Sequence, residues 1–339
     1  MALSFGSLFA GVGGADLGFE AAGMMCSWQV ENDPACQQIL ERHWPGIARF
    51  GAIEDVNGAD IPPVDVIFYG FPCQDLSVAG HRAGLDGDRS ILFFEVMRII
   101  REMKEATDGN FPKWAIAENV VGLLSADGGD AMGRCLDTLA ETGALVSEWC
   151  VLDARFFGVP QRRRRVFIAS CFDPSIAERC PAEIFSLAPS KSGHPPTIST
   201  PKQATAPIPR KGLEGSRLSD GLTSTEYVVG TYRLKGFGDY AEDVVASPVL
   251  ARDYKYASDL VTELPVDPIT GALDFASVRI RGMTPLEAER MQGWPDNHTR
   301  WLTDDVEQHD TPRFKQIGNG VASPVAEWVG RQIVKASGM

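Results

Sequence analysis

The chain has 339 residues, 44% of them hydrophobic, and a net charge of −13. That length suits one large domain, or a large and a small one, with a substantial core. The acidic excess argues against a polyanionic partner spread over the whole surface, so a nucleic-acid site would have to be local. Seven scattered cysteines without close pairs, and five dispersed histidines, predict free thiols in a reducing compartment and no metal. The apolar run SILFFEVMRII is short and broken by charge, and the N-terminus has no leader-peptide pattern. A cytoplasmic protein with no membrane contact is therefore expected.

In chain order, ALSFGSLFA reads as a buried strand and ADLGFEAAGM as the helix after it. CSWQVE is a strand and DPACQQILERHW a helix, capped by Asp33 with Pro34 at its first position. VDVIFYGF is a strand, SILFFEVMRIIREM a long helix, KWAIAENV a strand, and DAMGRCLDTLAETG a helix closed by Gly143. ALVSEWCVLD and RRVFIAS complete the set. Such alternation predicts an α/β fold, a doubly wound and mostly parallel sheet with helices on both faces. The pattern stops near residue 173. Residues 187–217, rich in Pro, Ser, Thr and Lys, read as an exposed connector. The short strand-like runs of 227–262 predict a second, smaller, irregular unit. Helical pattern returns at TPLEAERMQGW, where Thr284 can cap and Pro285 can start a helix, and at PVAEWVGRQIVKA.

SLFAGVGGADLGF joins the first strand to the first helix. Gly11, Gly13 and Gly14 permit a sharp turn and close approach of a ligand. The dinucleotide fingerprint fails, because position 16 is Asp. A Gly-rich turn at the C-terminal edge of a parallel sheet remains a ligand site. Glu31, at the end of the second strand, could accept hydrogen bonds from both hydroxyls of a ribose. An adenosine ligand fits, and a tight structural turn is the alternative.

Cys73 follows the VDVIFYGF strand at the same edge, and a reactive thiolate there would need positive charge or backbone donors. Glu118 ends the next strand along, within reach of Cys73 if the two strands are neighbours. A packed thiol and an exposed strand end are the bland alternatives. The run Arg162-Arg163-Arg164-Arg165 cannot be buried whole without partners. In a strand Arg163 and Arg165 share a face, and one pair could meet a phosphate or a carbonyl oxygen. A solvated basic run is the alternative.

Seven segments in order carry a resemblance: FAGVGG at 9–14, GFPCQ at 70–74, RSILF at 89–93, ENV at 118–120, QRRRR at 161–165, TPLEAERMQGWP at 284–295 and QIGNGV at 316–321. The chain resembles the cytosine-5 DNA methyltransferase family over nearly its full length. The resemblance implies a Rossmann-like catalytic domain over 1–185, a target-recognition domain over 186–300, and a return segment over 301–339. It implies S-adenosylmethionine as methyl donor, double-stranded DNA as partner, and a cytosine flipped out of the duplex. Cys73 would be the nucleophile on ring carbon 6. Glu118 would hydrogen-bond or protonate ring nitrogen 3, Arg165 would hold the carbonyl oxygen, and Arg163 would assist or meet the flipped nucleotide's phosphate. Phe9, Gly11, Val12, Gly13, Gly14, Glu31, Asn32, Ile53, Pro72, Leu92, Asn319 and Val321 would form the donor site. Gln74, Ser77, Arg89 and Gln161 would touch DNA, and Gly80, Gly84 and Gly87 would hinge the loop after Cys73.

Two positions depart from the family pattern. Ala52-Ile53 stands where Asp-Ile is expected, leaving Asp55 as a substitute for the adenine contact. Pro248-Val249 stands where a Thr-Leu pair would touch the DNA backbone. A monomer of bacterial or phage type, nucleoid-associated, is the expected setting, with pairing to a restriction endonuclease, a phage and an orphan role left open as contexts. A transfer-RNA methyltransferase of the same fold, a non-catalytic DNA-binding relative and an oxidoreductase remain as rivals. The recognised sequence is not legible.

Overall fold

The computed structural model describes residues 2–71, 91–180, 184–185, 228–236, 239–243, 249, 259–263 and 279–338. The strands are β1 (Ser4–Leu8), β2 (Met25–Val30), β3 (Ala48–Phe50), β4 (Val66–Gly70), β5 (Trp114–Val120), β6 (Val146–Asp153) and β7 (Arg164–Cys171). They form one seven-stranded sheet in the order β3-β2-β1-β4-β5-β7-β6. The helices are α1 (Gly14–Ala21), α2 (Pro34–His43), α3 (Ile91–Ala106), α4 (Asp130–Glu141), α5 (Pro174–Ala177), α6 (Pro285–Met291), α7 (Asp310–Asn319) and α8 (Ser323–Ala336).

Both faces of the sheet are covered, so the central strands read as continuous apolar runs with no polar alternation. On one face Phe5, Phe68, Trp114, Ile116 and Phe167 pack with Phe19 of α1 and Val325, Val329 and Ile333 of α8. On the other, Leu8, Ile67, Tyr69, Ala115 and Ile168 pack with Phe93, Val96 and Ile100 of α3 and with Cys135 and Leu139 of α4. The α1–α8 contact is close because it is built on glycine. A Cβ on Gly18 would lie 2.4 Å from the Ser323 carbonyl oxygen, and one on Gly330 would lie 2.8 Å from the Ala22 Cβ.

Capping follows the sequence. Asp33 Oδ1 accepts from the Ala35 and Cys36 amides, at 2.9 and 3.3 Å. Thr284 and Glu287 form a reciprocal capping box at the start of α6.

One strand direction departs from simple alternation. β7 is antiparallel to both β5 and β6. The link from β6 to β7 spans only residues 154–163, with a single 3-10 turn at Ala154–Phe157. It is too short for a helical crossover, so the chain must double back. Asp153 Oδ1 closes the link, accepting from the Arg155 amide at 3.4 Å and the Arg163 amide at 3.2 Å. The start of β7, with its arginines, therefore falls at the edge where β1, β2, β4 and β5 end.

A second sheet is antiparallel, in the order β11-β10-β8-β9, from β8 (Val228–Gly236), β9 (Asp239–Asp243), β10 (Asp259–Glu263) and β11 (Arg279–Gly282). A hairpin, β12 (Trp301–Thr303) with β13 (Val306–Glu307), follows. Residues of α6 and α7, among them Ala288, Met291, Phe314 and Ile317, pack with Val12, Cys36 and Ile39. The stretch from Thr284 to 300, which the sequence groups with the recognition unit, thus lies against the glycine turn and α2. Glu289, fully buried, accepts from the Asn297 and Thr299 amides and pairs with Arg313 at 3.0 Å, holding this stretch together.

Asp16, in the first turn of α1, is also fully buried. Gln29 Nε2 donates to its Oδ1 at 2.9 Å, yet burial outweighs this and raises its pKa to about 6. The folded state therefore holds a proton that the unfolded chain has lost, and stability should fall as pH rises from about 4 to about 6. Asp16→Asn keeps the acceptor for Gln29. It is expected to raise stability at pH 7 by roughly 1–3 kcal/mol and to flatten that slope. Urea unfolding of both proteins at pH 5 and pH 7 checks this, and an Asp16→Asn protein no more stable than wild type at pH 7 contradicts it.

Candidate active site

The turn after β1 carries the strain. Phe9 has φ +58°, in the left-handed region that a bulky residue rarely adopts. The Ala10 amide donates to the Val30 carbonyl at 3.0 Å, tying the turn to the end of β2. The three glycines serve different ends. A Cβ on Gly11, also at φ +58°, would meet nothing within 4 Å, so this backbone faces open space. A Cβ on Gly13 would strike the Trp44 ring at 2.3 Å, and one on Gly14 the Trp294 ring and the Val321 carbonyl oxygen at 2.6 Å. Gly13 and Gly14 are thus required by packing within the protein, and Gly11 is the position open to a ligand.

Glu31 joins this turn to the next one. Its Oε2 accepts from the Gly11 amide at 2.8 Å and its Oε1 from the Asp33 amide at 2.8 Å. Burial raises its pKa, and the two amide bonds work against that rise. Each carboxylate oxygen has a second lone-pair site for an outside donor. Asn32 beside it is exposed. Val12 is buried, and its carbonyl accepts from His298 Nε2 at 2.7 Å. The His43 ring stacks on His298 at 4.0 Å between centroids, and its Nε2 donates to the His298 carbonyl at 2.8 Å. Burial drives the His298 pKa down to about 3, so the ring stays neutral. This histidine pair has no local sequence signal, because its members stand 255 residues apart.

Glu118 stands at the same edge. It is opposite Gly70 of β4 and Phe167 of β7, so the strands bearing Glu118 and leading to Cys73 are neighbours, as the reach between them requires. A Cβ on Gly70 would sit 3.5 Å from Glu118 Oε2, which places the carboxylate beside the end of β4. Arg165 Nε pairs with Glu118 Oε1 at 2.9 Å, both groups being mostly buried. Asn119 is on the opposite face of β5, and its Nδ2 donates to the Phe71 carbonyl at 2.9 Å. It fixes the backbone of Phe71, two residues before Cys73, and this role has no sequence signature. Cys73, with Pro72, Gln74, Ser77, Arg89 and the glycines at 80, 84 and 87, lies outside the described residues.

Arg163 and Gln161 differ from expectation. Arg163 shares a face with Arg165 but is 3% exposed. Its guanidinium donates to the carbonyls of Val249 (3.2 Å), Gly318 (3.0 Å) and Gly320 (2.6 Å). Burial, with the neighbouring Arg165 charge, lowers its pKa to about 9 against the pull of Glu118. Gln161, expected on DNA, is fully buried. Its Nε2 donates to the Met291 carbonyl at 2.6 Å and to Gln292 Oε1 at 3.1 Å. Both side chains are spent on protein backbone because the β6–β7 link runs beneath α6 and α7. Arg162 and Arg164, by contrast, are exposed, with no ion pair among the described residues.

The remaining expected donor residues stand on several elements, with Val321 against the glycine turn. The Val321 carbonyl accepts from Trp294 Nε1 at 2.9 Å, the ring that also fills the space over Gly14. Asn319 ends α7 and is exposed. Ile53 is buried, and its carbonyl accepts from Arg98. Asp55 is exposed, two residues along the same 3-10 turn. Leu92, in the first turn of α3, is partly buried against the core beneath that helix.

The other six cysteines are free thiols. Burial pushes every one upward, Cys135 to about 12 and Cys171 to about 11, with Cys26, Cys36, Cys150 and Cys180 also raised. None is poised as a thiolate. Among the described residues no cluster of His, Cys, Asp and Glu could hold a metal ion, and no helix is long and apolar enough to cross a membrane.

The sequence model of the C-5 cytosine-specific DNA methylases matches residues 3–335. The type II methyltransferase M.HpaII of Haemophilus parainfluenzae is 29% identical over 99% of this chain and 90% of its own. A protein of Escherichia phage P1, named a DNA N-6-adenine-methyltransferase, is 26% identical over 98% of this chain, which spans 61% of its length. The S. pombe Dnmt2 methyltransferase structure superposes with a TM-score of 0.60 at 14% identity, over 98% of this chain and 99% of that one, and shares the fold. The chain belongs to the C-5 cytosine-specific DNA methylase family and is a DNA (cytosine-5)-methyltransferase.

Proposed function

We propose that the enzyme methylates cytosine within one specific duplex sequence, taking the methyl group from S-adenosylmethionine and using Cys73 as a covalent nucleophile. The observation that carries this is the Glu118–Arg165 pair, set beside Gly70 where β4 runs out toward Cys73. Carbon 5 of an intact pyrimidine is a poor nucleophile. The Cys73 sulfur lone pair forms a bond to carbon 6, and the ring electrons shift to carbon 5. Glu118 takes up the charge at ring nitrogen 3 by hydrogen bond or proton transfer. Arg165 meets the carbonyl oxygen. After methylation carbon 5 loses its proton, the sulfur–carbon bond breaks, and the ring double bond is restored. An exocyclic adenine amine has its own lone pair and needs no such thiol.

The donor, when bound, supplies an electrophilic methyl on a sulfonium. The residues present fit it: Gly11 offers open backbone, and Glu31 has acceptor capacity left for a ribose. Glu31→Ala frees the Gly11 amide and removes those acceptors. It is expected to weaken S-adenosylhomocysteine binding about 10- to 100-fold by calorimetry. An affinity within threefold of the wild type would remove Glu31 from the donor site.

We assign the antiparallel sheet and its flanking segments to target recognition, with phosphate contacts from Arg162, Arg164 and the basic residues of 186–213. On a body of net charge −13 such contacts must be local, and binding should weaken steeply with salt. Replacing Arg162 and Arg164 by Ala is expected to reduce the slope of log K against log salt by about 1–2. Fluorescence anisotropy over a salt series measures it, and an unchanged slope places the phosphates elsewhere. A restriction endonuclease of matching specificity is the setting that the type II relatives favour. Nanopore and bisulfite sequencing of a plasmid carried with this gene tests the whole reading. Methylcytosine at one motif supports it, whereas methyladenine, or methyl transfer to transfer RNA alone, refutes it.

A further inference from the structure

Val249 lies between β9 and β10, in the sequence of the second sheet, yet it is 1% exposed in a cluster with Val12, Ile39, Met291 and Trp294. Its backbone is gripped from both sides. Its amide donates to Gln161 Oε1 at 3.3 Å, and its carbonyl accepts from Arg163 Nη1 at 3.2 Å. The same two side chains reach the carbonyls of Met291, Gly318 and Gly320. Gln292, which accepts from Gln161, passes the link on to the Ile317 carbonyl at 2.7 Å. Two residues of the β6–β7 link thus cross-link the end of α6, the end of α7 and one point of the recognition region. Arg165, two positions on and on the same face, pairs with Glu118.

A guanidinium buried on carbonyls alone is a costly way to build a core, since an apolar side chain of similar volume often packs as well or better. What it supplies is geometry. Its planar fork holds three carbonyls on two segments, Val249 and the end of α7, at one register, and lysine cannot reproduce that reach.

We propose that Gln161 and Arg163 are positioning residues that couple the seating of the recognition region to the alignment of Arg165 and Glu118, with the Val249 backbone as the coupling point. This rests on the reading that the second sheet meets DNA and that Glu118 and Arg165 act on the base. When Val249 is in place, Arg163 is held at all three carbonyls and the start of β7 is fixed. When it is displaced, Arg163 loses one anchor, and the strand that presents Arg165 is freed.

The test uses the full-length enzyme, a duplex bearing its own methylated motif, and the same duplex with one base pair of the motif changed. Arg163→Met is expected to slow single-turnover methyl transfer on the true site about 10- to 100-fold and to shrink the rate ratio between the two duplexes by a similar factor. S-adenosylhomocysteine affinity and binding to unrelated duplex stay within about threefold, which is below the coupling expected. Arg163→Lys falls between Met and wild type. Gln161→Glu, which keeps the acceptor for the Val249 amide but not the donor to Met291, loses less than Arg163→Met. It decides on the same two rates if Arg163→Met does not fold. An equal loss on both duplexes, or a rate loss that tracks donor affinity, overturns the coupling. A wild-type enzyme inactive on every duplex would instead refute the function proposed above.

Discussion

Cys73→Ala is expected to lower methyl transfer by about 10⁴-fold or more, with donor affinity unchanged, because the proposed mechanism opens the pyrimidine ring through the Cys73 sulfur. The other six thiols are all pushed upward by burial, and none can substitute. The chain exits β4 at a point fixed by two neighbours, the Glu118 carboxylate beside Gly70 and the Asn119 amide on the Phe71 carbonyl. A thiol two residues further on starts from a defined place. Serine at position 73 should be nearly as inactive as alanine, since a hydroxyl is a far weaker nucleophile at neutral pH. Steady-state assays with labelled donor and purified duplex read the loss. Turnover of either variant within tenfold of wild type would remove Cys73 from the mechanism.

Glu118→Gln is expected to cost about 10²- to 10⁴-fold in the single-turnover rate. The amide keeps the shape and can still donate a hydrogen bond to ring nitrogen 3, but it cannot deliver a proton or balance the Arg165 charge. Arg165 Nε would then lie beside a neutral amide, where a carboxylate oxygen now sits 2.9 Å away. Binding of S-adenosylhomocysteine should be preserved, because Gly11 and Glu31 lie just past the ends of β1 and β2, away from β5. Quenched-flow measurement with excess enzyme separates the chemical step from product release, and a rate within threefold of wild type contradicts the role.

Local signals in the sequence reached a long way. The apolar run VDVIFYG, the Asp33 and Thr284 caps and the strand–helix alternation all predict elements that the structure contains. So does the placing of Gly11, Glu31 and Glu118 at one sheet edge. What escaped depended on distant contacts. The reversal of β7 is set by the short β6–β7 link, and only the reversal brings Arg165 to Glu118. Gly13 and Gly14 resemble ligand-binding glycines until Trp44 and Trp294 are seen in the space above them. Arg163 and Gln161 sit in an apparently solvent-facing basic run, and their burial depends on Val249 and on carbonyls near residues 291 and 320. Helix α7 was missed because Pro312 lies within it and QIGNGV reads as loop chemistry. The strained φ of Phe9 has no sequence signature in a phenylalanine.

The most direct measurement of the central claim is intact-mass analysis of wild-type enzyme incubated with donor and a duplex carrying 5-fluorocytosine at the methylated position. Fluorine cannot leave as a proton does, so the sulfur bond cannot be broken. The account predicts a stable one-to-one adduct with the methylated strand, mapped by peptide sequencing to Cys73 and absent from Cys73→Ala. Efficient methylation of ordinary cytosine with no adduct, or an adduct at another residue, would contradict it.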